Sequence, residues 1–315
     1  MGRLKDALRP AVYFLPNQVA KWRRQRELAG TRRHFTATEL KADLDRLPLP
    51  DNAVLLLHSS LKAIGFVEGG PDAVAQALVD SVVRDRGGTL LVPTYTIPGT
   101  MHATLSQAAA GDDVAFDAAE SRSNLGAIPE AFRRFPGLVR SVHPTHSFGA
   151  IGPLAHQLVD THHTCGSNFG PGSPMAESLN HDAWLLGLGT NLGNVTFYHC
   201  VEDIEPDFPL RVYTTDSPIT VRCRDSAGPV HEMSCNAHDS AVSRTRIDYP
   251  VNEAIRAFYT DWFERNAGLT WHQVCEARSW LLPARRLYDE TAKLARQGIT
   301  IYSTADDLRD KAPSP

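Results

Sequence analysis

Ala183-Trp184-Leu185-Leu186-Gly187-Leu188-Gly189, followed closely by Asn194-Val195-Thr196-Phe197-Tyr198-His199-Cys200-Val201-Glu202, is the stretch that decides how this chain folds. The first half is an apolar run bounded by glycine, which reads as a buried strand. Small and polar residues end it, and a helix is predicted over 195–204. On that helix Thr196, His199 and Glu202 recur every three residues and so share a face. A histidine with a carboxylate one turn away is held in one tautomer and can act as a base near neutral pH. Strand ends of α/β proteins are also where ligands bind.

Working outward, the pattern repeats upstream. Val54-Leu55-Leu56-Leu57-His58-Ser59-Ser60-Leu61 passes from strand to polar turn, and Gly69-Gly70-Pro71 opens a helix, since proline suits the first helical position. Thr36-Ala37-Thr38-Glu39 opens an earlier helix through Leu40, Leu44 and Leu47, with Thr36 or Thr38 as its cap. Strand 54–57, helix 71–84 and strand 89–92 then alternate in βαβ fashion. Residues 97–120 and 161–174 read as polar loops, the first lying over the site, and helix 127–134 stands between them. Beyond Pro209 the pattern changes. Leu210–Thr215 and Ile219–Cys223 alternate as strands, Ser226-Ala227-Gly228 marks a hairpin, and helices are predicted over 251–265 and 283–297. A late strand is expected at Ile299–Tyr302 and a frayed tail over 306–315.

The 315 residues are 42% hydrophobic and 22% charged, an ordinary globular composition, and no apolar run approaches a membrane span. The early apolar stretch is short and broken by Pro10 and Pro16, which excludes a secretory signal. Five irregularly spaced cysteines argue against a disulfide framework and fit a reducing, cytoplasmic setting. The net charge of −4 is uneven: residues 1–33 carry +7 and the remainder −11. That basic segment either rests on an anionic membrane surface, or is a helical extension that packs on the acidic body or mediates self-association as a homodimer. An acidic body would repel phosphates, so no nucleic-acid partner is expected. The expected organisation is a basic extension over 1–35, one domain over 36–305 and a polar tail over 306–315.

A third segment, Arg140-Ser141-Val142-His143-Pro144-Thr145-His146-Ser147-Phe148, joins the first two. With Gly88–Thr96, Asn124–Arg134 and Gly172-Ser173-Pro174, these segments in this order resemble the aminoglycoside 3-N-acetyltransferase family from about Leu40 to Pro209. The resemblance implies an α/β fold, a three-layer α/β/α sandwich with a mixed central sheet and a C-terminal region of hairpin plus helices. It implies transfer of an acyl group from acetyl-CoA, as co-substrate, to a small-molecule amine, with no metal. It implies that His199 is catalytic, with Glu202 orienting it and Thr196 beside it. Glu202 could instead form a buried salt bridge with Arg140 or another cation, and Thr196 could simply cap its helix.

The loop His58, Ser59, Ser60 and Leu61 resembles the family's coenzyme A loop, with Gly65, Val67 and Gly69 allowing close backbone approach. Arg140 and Ser141 are candidates for phosphate contact. His143, Ser147, His238 and Asp239 are candidates for the acceptor, with a structural role for His143 as its alternative. Cys200 points about 100° away from His199 along a helix, which favours a buried thiol over an acyl-cysteine. A metal-dependent hydrolase using His143, His146, His199 and Glu202 is the competing enzyme, although the His-Glu-x-x-His spacing is missing. A non-catalytic binder of CoA or sugar is the competing class.

Drug-modifying members bring carboxylates to their cationic substrate. Here the loop Ile97–His102 has no acid before Asp112, and Cys235-Asn236-Ala237-His238-Asp239-Ser240 retains only Asp239 of an acidic pair. These departures point to an amino sugar of glycan or surface-polysaccharide synthesis as acceptor, with an aminoglycoside as the alternative.

Overall fold

The computed structural model describes residues 33–97, 100–111, 114–249 and 252–311. The basic segment expected to touch a membrane or a second copy lies, apart from Arg33, outside the described residues, as does Asp112. Among the described residues no helix is long and apolar enough to cross a membrane.

The strands are β1 (His34–Phe35), β2 (Val54–Ser59), β3 (Phe66–Val67), β4 (Thr89–Pro93), β5 (Phe116–Asp117), β6 (Val139–Arg140), β7 (Phe148–Ile151), β8 (Trp184–Leu188), β9 (Ile219–Arg224), β10 (Val230–Cys235), β11 (Thr270–Val274) and β12 (Ala277–Pro283). Seven of them form the central sheet in the order β11-β12-β8-β2-β4-β7-β6. β2 runs parallel to both β4 and β8, while β7 and β12 pair antiparallel outside them. The sheet is therefore mixed. Its central strands read as unbroken apolar runs because both faces are covered.

Alternate residues divide between two cores. Leu55 and Leu57 pack with Leu40, Leu44, Val74, Leu78 and Phe132 of the helices Ala37–Asp45, Gly70–Leu78 and Ala127–Arg133. Leu56 and Leu185 face the opposite layer, with Tyr198, Tyr259, Phe263 and Leu287. That layer holds the helices Tyr198–Ile204, Glu253–Asn266 and Ala284–Arg296. The result is the three-layer α/β/α sandwich expected. Thr36, one of the two cap candidates in the sequence, caps the first helix in a capping box with Glu39.

Four expectations are corrected. Residues 97–120 are more than a loop: the helix Met101–Ala109 and strand β5 lie within them. β5 adds to the hairpin β9–β10 as a second sheet, sealed by Met101, Leu105, Phe116, Val221 and Met233. Leu210–Thr215 contributes only a single bridge, Tyr213 to His238, rather than a strand. Ile299–Tyr302 is buried but not extended, because its backbone turns to let Ser303 and Thr300 bond to each other. The tail forms a helix, Ala305–Lys311, opened by Thr304 and Asp307 exchanging hydrogen bonds.

Residues 270–283, passed over in the sequence, supply both β11 and β12. β12 brings the fully buried Trp280 opposite Gly187 of β8, and Gly187 is itself opposite His58 of β2. A Cβ at Gly187 would run into the indole. The indole N–H donates to the Thr190 carbonyl at 2.9 Å, so the ring also fixes the backbone leaving β8. Gly187→Val should therefore cost about 1–3 kcal/mol by overpacking. Trp280→Ala should cost about 3–5 kcal/mol by leaving a cavity. Equilibrium urea unfolding reads both, and a neutral Gly187→Val would refute the packing argument.

Candidate active site

The adjacent, parallel ends of β2 and β8 open one cleft of about 380 Å³. His58, Ser59 and Ser60 line one side, and Thr190, Gly193, Asn194, Val195, Thr196 and His199 another. The volume lies within the usual range for small-ligand sites. Ser60 donates its backbone N–H to Leu188 O at 2.9 Å, which ties the two strand ends together. Among the described residues the Ser59 and Ser60 hydroxyls have no protein partner, and both side chains are half-buried. His58 Nε2 is buried and unpaired, and burial pushes this imidazole down to about 4, so it is neutral near pH 7.

The helix that carries His199 starts at Tyr198, later than expected, after a 3₁₀ turn at Leu192–Asn194. Thr196 precedes it and makes no side-chain cap. Its hydroxyl instead accepts from Tyr95 at 3.2 Å, and its carbonyl accepts from His199 N–H at 3.0 Å. His199 Nδ1 lies 2.8 Å from Glu202 Oε2, one turn along the helix. Because a carboxylate only accepts, Nδ1 carries the proton and Nε2 keeps a lone pair. Phe169 stacks on the imidazole, with ring centroids 5.4 Å apart. Phe169 is held in turn by its N–H donating to Asp203 at 2.7 Å.

His238 arrives from the other side. Its Nε2 is 3.3 Å from the same Glu202 Oε2, and its ring lies 4.6 Å from that of His199. The Glu202 side chain has no exposed surface. Burial works to raise its pKa, but His199 and the hydrogen bonds from both imidazoles outweigh that and hold it down to about 2. The salt bridge to Arg140 weighed for Glu202 does not form.

Arg140 and Ser141 are buried below the sheet end and do not line the cleft. Arg140 donates to the Thr94 carbonyl and hydroxyl, to Ser147 Oγ, and to the carbonyls of Ala118 and Ser121. Its guanidinium sits 4.8 Å over the Phe116 ring. Burial lowers it to about 10, so it remains a cation, and all three guanidinium nitrogens donate inside the protein. Ser141 Oγ accepts from Phe148 N–H at 2.8 Å and meets His162 at 2.9 Å. Phosphate contact by either residue is thus replaced by an internal role.

The same holds for His143 and Ser147. His143 stacks on His162 at 4.6 Å and accepts from the His146 N–H at 3.0 Å, which matches its structural alternative. Ser147 donates to Thr94 O at 2.9 Å. Asp239 caps the helix Ser240–Ser243 through Ala241 N–H at 2.7 Å and does not line the cleft. Leu61 and Val67 belong to the core beneath the helix layer. Gly65 is required by its φ of +104° and by Phe35 and Glu276 packed against it, not by approach to a ligand. Cys200 is fully buried, its thiol bonded to Phe169 O, and burial raises its pKa well above normal.

All five cysteines are free and buried. Among the described residues the metal-capable group is His199, Glu202 and His238, rather than the set containing His143 and His146. Local sequence reasoning missed Arg246, Ile247, Asp248 and Ile301, which close the cleft from the C-terminal region. Arg246 is bidentate on Asp248, at 2.7 and 2.8 Å, so the one acid that lines the cleft among the described residues is already paired.

A mixed sheet sandwiched by helices, with an imidazole–carboxylate pair beside the cleft at the parallel strand ends, is an α/β site equipped for general-base chemistry. The chain belongs to the aminoglycoside 3-N-acetyltransferase family, whose sequence model matches residues 56–296. It is 35% identical over 194 residues to aminoglycoside N(3)-acetyltransferase IX of Micromonospora chalcea, covering 59% of this chain and 68% of that one. It is 34% identical over 197 residues to aminoglycoside N(3)-acetyltransferase VIII of Streptomyces fradiae, covering 59% and 67%. The crystal structure of the aminoglycoside acetyltransferase AAC(3)-Xa superposes with a TM-score of 0.69 at 26% identity, over 85% of this chain and 94% of that one. The protein is accordingly an acyl-CoA-dependent N-acyltransferase, with acetyl-CoA as its co-substrate.

His58, His162 and His238 are each pushed down to about 4, first of all by burial. Between that value and the unfolded value of 6.5 the unfolded chain binds more protons than the folded one. Stability should therefore fall as pH drops from 6.5 toward 4, by on the order of 3 kcal/mol for His58 alone. Glu202 adds further loss below pH 4.5. A melting temperature unchanged from pH 7 to 4 would contradict the buried neutral histidines. Arg140→Met should destabilise by about 3 kcal/mol or more, as several buried acceptors lose a charged donor. The folded fraction should bind CoA as the wild type does, and a selective loss of CoA affinity would restore the phosphate role.

Proposed function

We propose that the chain transfers the acetyl group of acetyl-CoA to an amine of an aminoglycoside, and so belongs among the enzymes that inactivate such antibiotics. The observation that carries this reading is the His199–Glu202 pair at the rim of the cleft, in a chain whose named relatives are aminoglycoside N-acetyltransferases. The thioester lies along the His58–Ser60 side. An amine nitrogen attacks the thioester carbonyl carbon, and His199 Nε2 takes the proton that nitrogen loses. Glu202 stabilises the resulting imidazolium. Collapse of the tetrahedral intermediate breaks the C–S bond, and the proton passes from His199 to the departing sulfur to give free CoA. The unpaired Ser59 and Ser60 hydroxyls are suitable donors to the oxyanion, at about 2.7–4 kcal/mol per donor. Thr196, tied to Tyr95, holds the backbone that starts the catalytic helix.

The amino-sugar acceptor of polysaccharide synthesis, favoured by the sequence, has no support from the relatives. One observation still speaks for an acceptor less cationic than an aminoglycoside: Asp248, the acid lining the cleft, is neutralised by Arg246. The cytoplasm is where acetyl-CoA is available, and the free cysteines agree with that setting.

Thiol release from acetyl-CoA should be measured against aminoglycosides, free amino sugars and nucleotide-linked amino sugars. Turnover on aminoglycosides supports the proposal, and turnover confined to nucleotide-linked sugars returns the acceptor to glycan synthesis. No turnover despite CoA binding refutes catalysis on these amines. His199→Ala should lower kcat by about 10²–10⁴-fold with CoA affinity retained, and a mutant with wild-type turnover removes His199 from the mechanism.

A further inference from the structure

Two imidazoles converge on one oxygen of Glu202, and the reaction as proposed uses only one of them. His238 lies on the segment after β10, outside the helix that carries His199 and Glu202. It is buried, and its Nε2 reaches Glu202 Oε2 at 3.3 Å while His199 Nδ1 reaches the same atom at 2.8 Å. The other His238 nitrogen, Nδ1, faces only the Met101 sulfur at 3.3 Å, a weak acceptor. A neutral His238 has one proton, and the carboxylate is the stronger acceptor, so Nε2 donates.

The segment is anchored to hold this geometry. Ala237 O accepts from Thr214 N–H, Asp239 N–H donates to Val212 O, and Asn236 exchanges two hydrogen bonds with Asn168, next to the Phe169 that stacks on His199. Among the described residues Glu202 Oε1 has no partner within hydrogen-bond distance, although the buried Tyr302 phenol lies near the carboxylate, so the two imidazoles supply the direct hydrogen bonds, both to Oε2.

We propose that His238 is a positioning residue for acetyl transfer, which acts on His199 through Glu202 by occupying the carboxylate oxygen that both rings share. The proposal rests on His199 being the base. A second N–H on Oε2 draws charge from that oxygen and weakens its hold on the His199 proton. His238 thus sets in part how strongly Oε2 accepts from the His199 N–H, and an imidazole must be neutral to take the proton from the amine. The ring also stands 4.6 Å from His199 at 54°, and bars rotation away from the cleft.

The other ionisable groups around the trio are common to all variants. On the same helix this is Asp203, and from the 141–147 segment His146. Tyr213 packs on His238 at 4.8 Å, and Arg246, Tyr259 and Tyr302 face Glu202 from the C-terminal layers. A change in the His199 titration on replacing His238 therefore reports the lost donor.

The test is the titration midpoint of His199 by NMR on histidine-labelled protein without substrates, in wild type, His238→Phe, His238→Leu and His238→Gln. The Phe and Leu variants fill the space without a donor, and the reading is taken from whichever keeps the wild-type circular dichroism. Gln places an N–H where Nε2 stands. The midpoint should rise by about one unit in the donor-less variant and return toward wild type with Gln. The acidic limb of kcat/KM against pH should move with it, while CoA affinity stays unchanged. A midpoint equal to wild type in the donor-less variant overturns the proposal, as does a rise that Gln fails to reverse. The NMR reading needs no acceptor, so absence of turnover would count against the proposed function without deciding this one.

Discussion

Glu202 is an ionised carboxylate with no exposed side-chain surface, and it is kept in that state by two imidazole N–H groups aimed at one oxygen. Removing a charge from water without partners would cost several kcal/mol, so the surrounding structure must deliver both donors together. One donor comes from the same helix turn. The other comes from a segment 36 residues away, just after β10 of the small second sheet. That sheet, its covering helix Met101–Ala109 and the Asn168–Asn236 link exist in a form that brings His238 to Glu202. The fold thus supports a polar centre whose members would each be unfavourable alone.

The central sheet supplies the remainder. Because β2 is parallel to β8 and adjacent to it, the polar turns after both strands open at the same edge. Trp280 fills the space left by Gly187 and fixes the carbonyl of Thr190 beyond β8. Arg140, which forms no salt bridge among the described residues, closes the opposite flank by bonding carbonyls and hydroxyls from four loop positions. Such a residue looks like a phosphate ligand in the sequence because its charge is visible and its partners are not. The same ambiguity applies to Ser141 and Ser147, and to His143 with its two readings: all three are polar residues satisfied internally.

Legibility in the sequence followed interaction range. The strands β2, β4 and β8, the longer helices of both layers and the hairpin β9–β10 were readable because periodicity and turn residues are local, whereas the short helices Ala155–Val159 and Pro174–Leu179 were not. The pairing of His199 with Glu202 was readable for the same reason, since residues three apart on a helix must be neighbours. The pair β11–β12 was passed over: Thr270–Val274 is a half-exposed edge strand, and β12 is defined by its partners rather than by a strong local pattern. Ile299–Tyr302 failed in the opposite direction, since an apolar β-branched run was buried as a turn.

The sequence by itself determined the family, the sandwich class, the imidazole–carboxylate pair and the polar loop His58–Ser60, all of which rest on residues close together in the chain. Only the tertiary structure decided that His238 shares Glu202 with His199, that Arg140 is spent inside the protein, and that Arg246 neutralises the acid in the cleft. Those outcomes depend on which distant segments meet, and that is set by the packing of two sheets and their helices. No spacing along the chain encodes such meetings, because the energy that selects them comes from burying many side chains at once.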